Sequence, residues 1–99
     1  MKIIVHQFAK AELRNSRRWN DRRRAGLGMK LLQDVQAALS RIDRDPKIGM
    51  RYLNTPFRFH RTHTFPYVLY YLELDNHVCI MAIAHERRRP GYWMKRKPE

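Results

Sequence analysis

The chain has 99 residues, a length that predicts one domain with a single hydrophobic core. Apolar residues make up 43% of it, which is typical of a globular protein and excludes a disordered one. The formal net charge of +12 is extreme for this length and favours an anionic partner: nucleic acid, an acidic protein segment or an anionic membrane. No run of about 18 apolar residues exists, and the apolar start is too short for a secretory signal, so we expect a soluble cytoplasmic protein without a membrane span.

The first half of the chain predicts a strand followed by two helices. Residues 2–8 are β-branched and apolar at their centre, as in an opening strand. Residues 9–24 lack Gly and Pro and predict a helix with one narrow buried stripe. After Gly26 and Gly28, apolar residues at steps of three and four indicate a second helix: Met29, Leu32, Val35, Leu39 and Ile42. Two helices with a short link predict a hairpin that needs a flat apolar partner.

The second half predicts three strands. Residues 51–63 are mixed in polarity, residues 67–74 are aromatic and β-branched, and residues 78–84 are almost wholly apolar. An Asp-Asn turn signal between the last two predicts an antiparallel hairpin. The predicted class is therefore α+β, with an N-terminal strand, a helical hairpin and a three-stranded antiparallel meander, the helices packing on one face of the sheet. We expect a single domain over residues 1–99, in which residues 94–99 form a charged tail that frays.

The only cysteine of the chain is Cys79. A single cysteine excludes an intramolecular disulfide and a cysteine-cluster zinc site. Its place between Val78 and Ile80 predicts a buried and inert packing thiol.

The segment HERRRPGYWMKR, from His85 to Arg96, directly follows the last predicted strand. It combines a histidine that exchanges protons near neutrality, arginines that hold phosphate or carboxylate, and aromatic rings that stack on bases or anchor interfaces. We expect the strand end to hold these groups on one water-accessible surface. A structural role for His85, and packing roles for Tyr92 and Trp93, are the alternatives.

A family resemblance is carried by the order of elements and by two motifs, FPYVLYY at residues 65–71 and HERRRPGYW at residues 85–93. Together they resemble the RelE/ParE superfamily of type II toxin–antitoxin toxins, and within it the ParE-like, plasmid-stabilisation branch. The likeness covers about residues 2–96. It implies an antiparallel sheet backed by the helical hairpin, and a co-expressed antitoxin that wraps and silences the toxin.

The branch of the superfamily decides the mechanism that the resemblance implies. ParE-type members are regarded as inhibitors of DNA gyrase, whereas RelE-type members cleave mRNA, mostly on the ribosome. The HERRRPGYW motif favours the ParE type and a non-enzymatic toxin that inhibits growth by binding gyrase. A metal-independent mRNA endoribonuclease is the alternative. A third possibility is a plain nucleic-acid-binding module, explained by charge alone.

Each mechanism has its own candidate residues. Cleavage of a phosphodiester needs a base, a proton donor and fixed positive charge. The candidates for these roles are His85 or His60 as the base, Tyr92 as the donor, and Arg61 with Arg88 as the phosphate clamp. Binding to a target or to nucleic acid is assigned to Arg58, His60, Arg87, Arg89, Trp93 and Arg96. No cofactor is expected, and no metal, because His60 and His63 fall on opposite faces of a strand and no carboxylate is close in sequence.

Side chains alternate between the two faces of the predicted strand at residues 51–63, and this alternation decides which face each arginine there occupies. Phe57, Phe59 and Arg61 are expected on one face of the strand, and Arg58 and His60 on the other. Where helices cover one face of the sheet, we expect the exposed face to show Arg58 and His60. Arg61 then reaches solvent only by lying near the strand end.

Five arginines cluster on the first predicted helix and at its end: Arg17, Arg18, Arg22, Arg23 and Arg24. One interpretation is a solvated face, since long arginine side chains cover apolar surface. The other is a binding surface. The helix dipole stabilises cations at a helix C-terminus, so the position of this cluster does not by itself require a function.

Overall fold

Two helices and a five-stranded sheet make up the fold of residues 2–99. The computed structural model describes residues 2–99. In chain order the elements are β1 (Lys2–Val5), α1 (Gln7–Arg23), α2 (Leu27–Arg44), β2 (Met50–Arg51), β3 (Phe57–Arg61), β4 (Tyr67–Glu73) and β5 (His77–His85). The strands lie across the sheet in the order β1-β5-β4-β3-β2. The α+β class, the helical hairpin and the antiparallel meander of β3, β4 and β5 that the sequence predicts are confirmed.

The sheet differs from the sequence-based expectation in two respects. β1 pairs with β5 in parallel, so the sheet is mixed and not wholly antiparallel. Residues 51–63, predicted as one strand, contain the end of β2, a loop and all of β3. Pro56 in this loop has no N–H for a ladder. The loop is closed by the Tyr52 N–H, which donates to the Phe57 carbonyl at 2.9 Å, and by the Thr55 hydroxyl, which donates to the Tyr52 carbonyl.

The helical hairpin depends on a close approach of its two helices. Gly26 in the link has φ +93°, a conformation that favours glycine. The Gly28 N–H donates to the Asp21 carboxylate at 2.7 Å. A Cβ at Gly28 would lie 2.7 Å from the Arg17 carbonyl oxygen, closer than Cβ atoms approach other atoms, so the first turn of α2 requires glycine there. Within residues 2–99, neither helix is long and apolar enough to cross a membrane.

The first hydrophobic core lies between the helices and one face of the sheet. α2 contributes most to it, because its buried positions recur every three or four residues: Leu31, Val35, Ala38 and Ile42. They pack against the inward side chains of β4 and β5: Leu69, Tyr71, Val78, Ile80 and Ile83. Full burial of each large aliphatic side chain stabilises the fold by about 1.5–3 kcal/mol. α1 adds a narrower stripe, as predicted, and most of its side chains face solvent.

A second core lies on the opposite face of the sheet, under the C-terminal segment (residues 86–99). Trp93 has none of its surface exposed and packs with Cys79, Met81 and Ala82 of β5. A bulge in the pairing of β4 with β5 puts Met81 and Ala82 on the same side. Cys79 is buried, as predicted, and burial raises the pKa of its thiol.

The end of the C-terminal segment contacts the start of α1 and β5. The Glu99 carboxylate accepts the Gln7 N–H at 3.0 Å and lies 3.7 Å from the His6 ring. The Glu99 N–H donates to the Cys79 sulfur at 3.5 Å. The frayed tail expected for residues 94–99 stays a prediction, and in this structure Glu99 contacts the start of α1.

Asp34 of α2 fixes the turn between β3 and β4. Its carboxylate accepts the backbone N–H groups of His63 at 3.2 Å, Thr64 at 2.9 Å and Phe65 at 2.7 Å. These hydrogen bonds to an acidic side chain are stronger than bonds between neutral groups. The helix thus sets the position at which the chain enters β4.

Replacing Asp34 with alanine should lower the free energy of unfolding by about 2–3 kcal/mol, because the N–H groups of the turn lose a charged acceptor. Urea denaturation followed by tryptophan fluorescence measures this change. Asp43→Ala is the matched control, since Asp43 is exposed on the same helix, and its effect should stay within about 0.5 kcal/mol. Equal effects of the two substitutions would show that Asp34 does not hold the turn.

Candidate functional site

The C-terminal segment leaves β5 and returns across the second face of the sheet through successive tight turns. The Glu86 N–H donates to the Pro66 carbonyl and the Arg88 N–H to the His85 carbonyl, both at 2.9 Å. Gly91 has φ +75°, which allows the chain to reverse there. This path brings the motif residues back over the sheet and places their side chains on different sides of the segment.

A carboxylate from α1 lies at the edge of β5 where β1 has ended. The last β1 pairing is Val5 with Ile80, so no strand of the described residues lies beside β5 on that side beyond Ile80. The Glu12 carboxylate accepts the Ile83 N–H at 3.1 Å, and the Arg96 guanidinium donates to the Met81 carbonyl at 2.8 Å. These two side chains satisfy backbone groups that a strand would otherwise pair.

The same carboxylate binds two side chains of the C-terminal segment. Arg96 donates to Glu12 through two nitrogens, at 2.9 and 3.1 Å, in the two-pronged geometry that suits guanidinium and carboxylate. The Tyr92 hydroxyl donates to the second oxygen of Glu12. Burial, together with the hydrogen bond and charge of Glu12, raises the pKa of Tyr92 well above its usual value. Glu12, Tyr92 and Arg96 form the Glu12 cluster, which joins α1, β5 and the C-terminal segment.

Trp93 lies in the second core, although the sequence assigns it to target binding. Its ring packs on Tyr70 at 4.6 Å between centroids, on Phe57 at 4.8 Å and on Tyr52 at 5.3 Å. With no exposed surface it cannot contact a target without unpacking the segment. Its position is that of the packing anchor considered as the alternative.

Arg58 and His60 lie on the helix-covered face of the sheet, opposite to the expectation. The His60 ring accepts a hydrogen bond from Arg41 of α2 at 2.9 Å, and burial, then the charge of Arg41, lowers the pKa of His60. Arg58 donates to the Gly49 carbonyl at 2.8 Å and lies 3.5 Å from Glu73. The faces are reversed because the C-terminal segment covers the second face, where the phenylalanines of β3 therefore have to lie.

The four residues predicted for catalysis are divided between separate contacts. His85 packs edge-on against Tyr67 at 5.4 Å between centroids, and its Nδ1 accepts the Arg87 N–H at 3.1 Å. Arg61 pairs with Glu86 at 3.2 Å. Arg88 lies over the Tyr92 ring at 4.0 Å, but the Tyr92 hydroxyl is directed to Glu12. Among residues 2–99, no side-chain hydrogen bond or ring contact joins His85 to the other three, and the only bond to one of them runs between the Arg88 N–H and the His85 carbonyl. In the same range, no cluster of three or more His, Cys, Asp or Glu side chains could hold a metal.

Four arginines remain exposed around the turn that follows β5, and we name them the C-terminal arginine surface: Arg61, Arg87, Arg88 and Arg89. A shallow pocket of about 190 Å³ adjoins them and is lined by Tyr52, Phe59, Arg61, Val68, Tyr70 and Pro90. Exposed guanidinium groups beside a pocket can bind carboxylates or phosphates.

Glu12 was not identified from the sequence. It is the only acidic residue among the first 20, and that isolation is a signal from which its structural role could have been inferred.

The fold and this site define a class of small α+β domains, in which a helical hairpin covers one face of the sheet and a C-terminal segment covers the other. The sequence model of the family described as ParE toxin of type II toxin-antitoxin system, parDE, matches residues 3–90. The match covers most of the chain, so this protein belongs to the ParE toxin family, as the resemblance indicated. A solved structure of the chromosomal ParDE toxin–antitoxin system from P. aeruginosa has a similar fold, with TM-score 0.68 and 14% identity over 86% of this chain and 95% of that one. No curated protein matches the sequence.

Glu12→Gln should lower the free energy of unfolding by about 2–4 kcal/mol, because it leaves Arg96 without its counter-charge in a largely buried position. Only 12% of the Glu12 side chain and 15% of the Arg96 side chain are exposed. Glu86→Gln is the matched control, because it breaks the exposed Glu86–Arg61 pair and should cost no more than about 1 kcal/mol. Similar losses for both variants in urea denaturation would contradict a structural role for the Glu12 cluster.

The raised pKa of Tyr92 predicts a loss of stability in alkaline solution. Unfolded Tyr92 releases its proton near the usual pKa of 10.0, whereas folded Tyr92 retains it. Its contribution to stability is therefore complete below that pH and decreases as the pH rises. Between about pH 9 and pH 11 the free energy of unfolding of Tyr92→Phe should fall less steeply than that of the wild-type protein. Burial also raises the pKa of Tyr70 and Tyr71, so the free energy of unfolding of the variant still falls in part as the pH rises. Identical pH profiles for the two proteins would contradict a raised pKa at Tyr92.

Proposed function

We propose that this protein is a toxin that inhibits growth by binding DNA gyrase in the cytoplasm, and that a cognate antitoxin neutralises it. Membership of the ParE toxin family over residues 3–90 is the observation that carries the proposal. The toxin and its antitoxin would then act together as a stabilisation system for the plasmid or chromosomal locus that encodes them. No cofactor is needed for this activity.

The geometry of the C-terminal segment supports binding more than chemistry. The Tyr92 hydroxyl, the best candidate proton donor, is bonded to Glu12, and its raised pKa makes it a poor acid near neutral pH. Arg96 is held by the same carboxylate. What faces solvent is the C-terminal arginine surface, which offers charge and hydrogen-bond donors to a partner. The mRNA endoribonuclease of RelE type is therefore the weaker candidate.

The surface chemistry also supports an antitoxin with an acidic or amphipathic segment. A net charge of +12 favours a partner of opposite sign. At the β2 edge of the sheet, Met50 is 69% exposed and Leu53 is 75% exposed. β2 is an edge strand of the sheet, so its outer backbone groups and these apolar side chains are open to an added strand. We expect the antitoxin to dock at this edge or along the helical hairpin.

A DNA supercoiling assay tests the proposed target. Purified toxin at micromolar concentration should block supercoiling by gyrase, and the antitoxin should restore it. Arg87→Gln/Arg89→Gln should raise the inhibitory concentration by at least about tenfold, because arginines are enriched among the interface residues that contribute most to binding and a loss of about 1.4 kcal/mol weakens affinity tenfold. Lys30→Gln/Arg44→Gln removes the same charge from exposed positions of α2 and should leave inhibition unchanged.

The same experiment distinguishes the alternatives. Full gyrase activity in the presence of toxin, combined with rapid mRNA decay after induction in cells, would replace gyrase with mRNA as the target. Equal weakening by the two double variants would show that only net charge matters. An antitoxin that binds but does not restore supercoiling would contradict neutralisation.

A further inference from the structure

Four cations form a row along the exposed side of α1, separate from the C-terminal arginine surface. Lys10, Arg14, Arg18 and Arg22 are spaced four residues apart, and all four are exposed. Residues at this spacing are neighbours on a helix surface and form one ridge. We name this row the α1 ridge. Neither the Glu12 cluster nor the proposed gyrase-binding surface uses it.

Contacts within residues 2–99 do not account for the placement of four cations along the α1 ridge. Across residues 2–99, none of its four side chains takes part in a salt bridge or hydrogen bond within the protein. The two acidic residues of α1 are used elsewhere, since Glu12 binds Arg96 and Asp21 accepts the Gly28 N–H. Like charges four residues apart destabilise a helix by about 0.2–0.5 kcal/mol per pair. Lys10 also lies in the first turn, where the helix dipole disfavours a cation.

The dimensions of the α1 ridge fit a nucleic-acid backbone. Four residues rise about 6 Å along a helix, so the ridge covers about 18 Å. One strand of a B-form duplex carries roughly five phosphates over that length. Three of the four cations are arginines, whose guanidinium groups pair with phosphate oxygens through two hydrogen bonds.

The surroundings of the α1 ridge favour nucleic acid over an acidic protein segment. The adjacent positions 11 and 15 carry Ala and Asn, so a protein partner would find only one large apolar side chain beside the ridge, that of Trp19. Sequence-independent binding of DNA needs only the charges. Trp19, on the flank, is 47% exposed, but the Arg23 guanidinium lies over its ring at 4.8 Å. A covered ring is a poor platform for the unpaired bases of a single strand, which favours a duplex.

We propose that the α1 ridge binds the sugar-phosphate backbone of double-stranded DNA without sequence preference. The proposal does not depend on gyrase as the target of the toxin. If gyrase is the target, the α1 ridge and the C-terminal arginine surface bind different partners, DNA and protein, on different parts of the fold.

Fluorescence anisotropy with a labelled duplex of about 20 base pairs, at several KCl concentrations between about 50 and 200 mM, tests the proposal. Four phosphate contacts predict a slope of about −3.6 for log K against log salt concentration. Arg14→Gln/Arg18→Gln/Arg22→Gln should make this slope shallower by about 2.7. The control Lys30→Gln/Arg44→Gln/Lys97→Gln removes the same charge from exposed positions off the ridge and should change the slope by less than about 1.

Thermal unfolding shows whether the ridge variant is folded. Its melting temperature should equal or exceed that of the wild-type protein, because the substitutions remove repulsion between neighbouring cations. Equal slopes for the two triple variants, tighter binding of a single strand than of the duplex, or no duplex binding by the wild-type protein would each overturn the proposal. Loss of antitoxin binding by the ridge variant with unchanged DNA binding would instead assign the ridge to the antitoxin. Supercoiling assays with Arg87→Gln/Arg89→Gln test the gyrase proposal independently of this result.

Discussion

The Glu12 carboxylate is the contact on which the arrangement of the second face depends. It accepts a backbone N–H from β5, a hydroxyl from Tyr92 and two guanidinium nitrogens from Arg96. One side chain of α1 thus closes the open edge of the sheet and orients the segment that carries Trp93. The second core forms only with that segment in place, so a single buried ion pair links the two hydrophobic layers.

This use of acidic residues leaves many surface cations without a carboxylate partner. Glu12, Asp21 and Asp34 all accept hydrogen bonds that shape the fold, and they do little to neutralise neighbouring surface cations. Part of the excess charge lies in two exposed groups of cations, on α1 and after β5. A partner that recognises one group need not compete for the other, since they belong to different elements.

The sequence predicts the elements well because their signals are local. The periodicity of α2 and the apolar run of β5 are properties of neighbouring residues, and both were found at nearly the observed boundaries. The contact of Glu12 with Arg96 joins residues 84 apart, and no local pattern reveals it. The same limit explains why Arg58 and His60 were placed on the wrong face. Alternation shows which residues share a face, but the choice between faces depended on where the distant C-terminal segment packs.

The parallel pairing of β1 with β5 has a consequence for biosynthesis. Lys2 lies opposite His77, so β1 has no partner strand until β5 has left the ribosome. Pairings this distant along the chain close slowly, because a long loop must be ordered first. At about 5–20 residues per second, translation leaves an incomplete sheet for several seconds. The second core also needs Trp93, so the nascent chain cannot assemble this core, and with it the C-terminal arginine surface, before the C-terminal segment has been made.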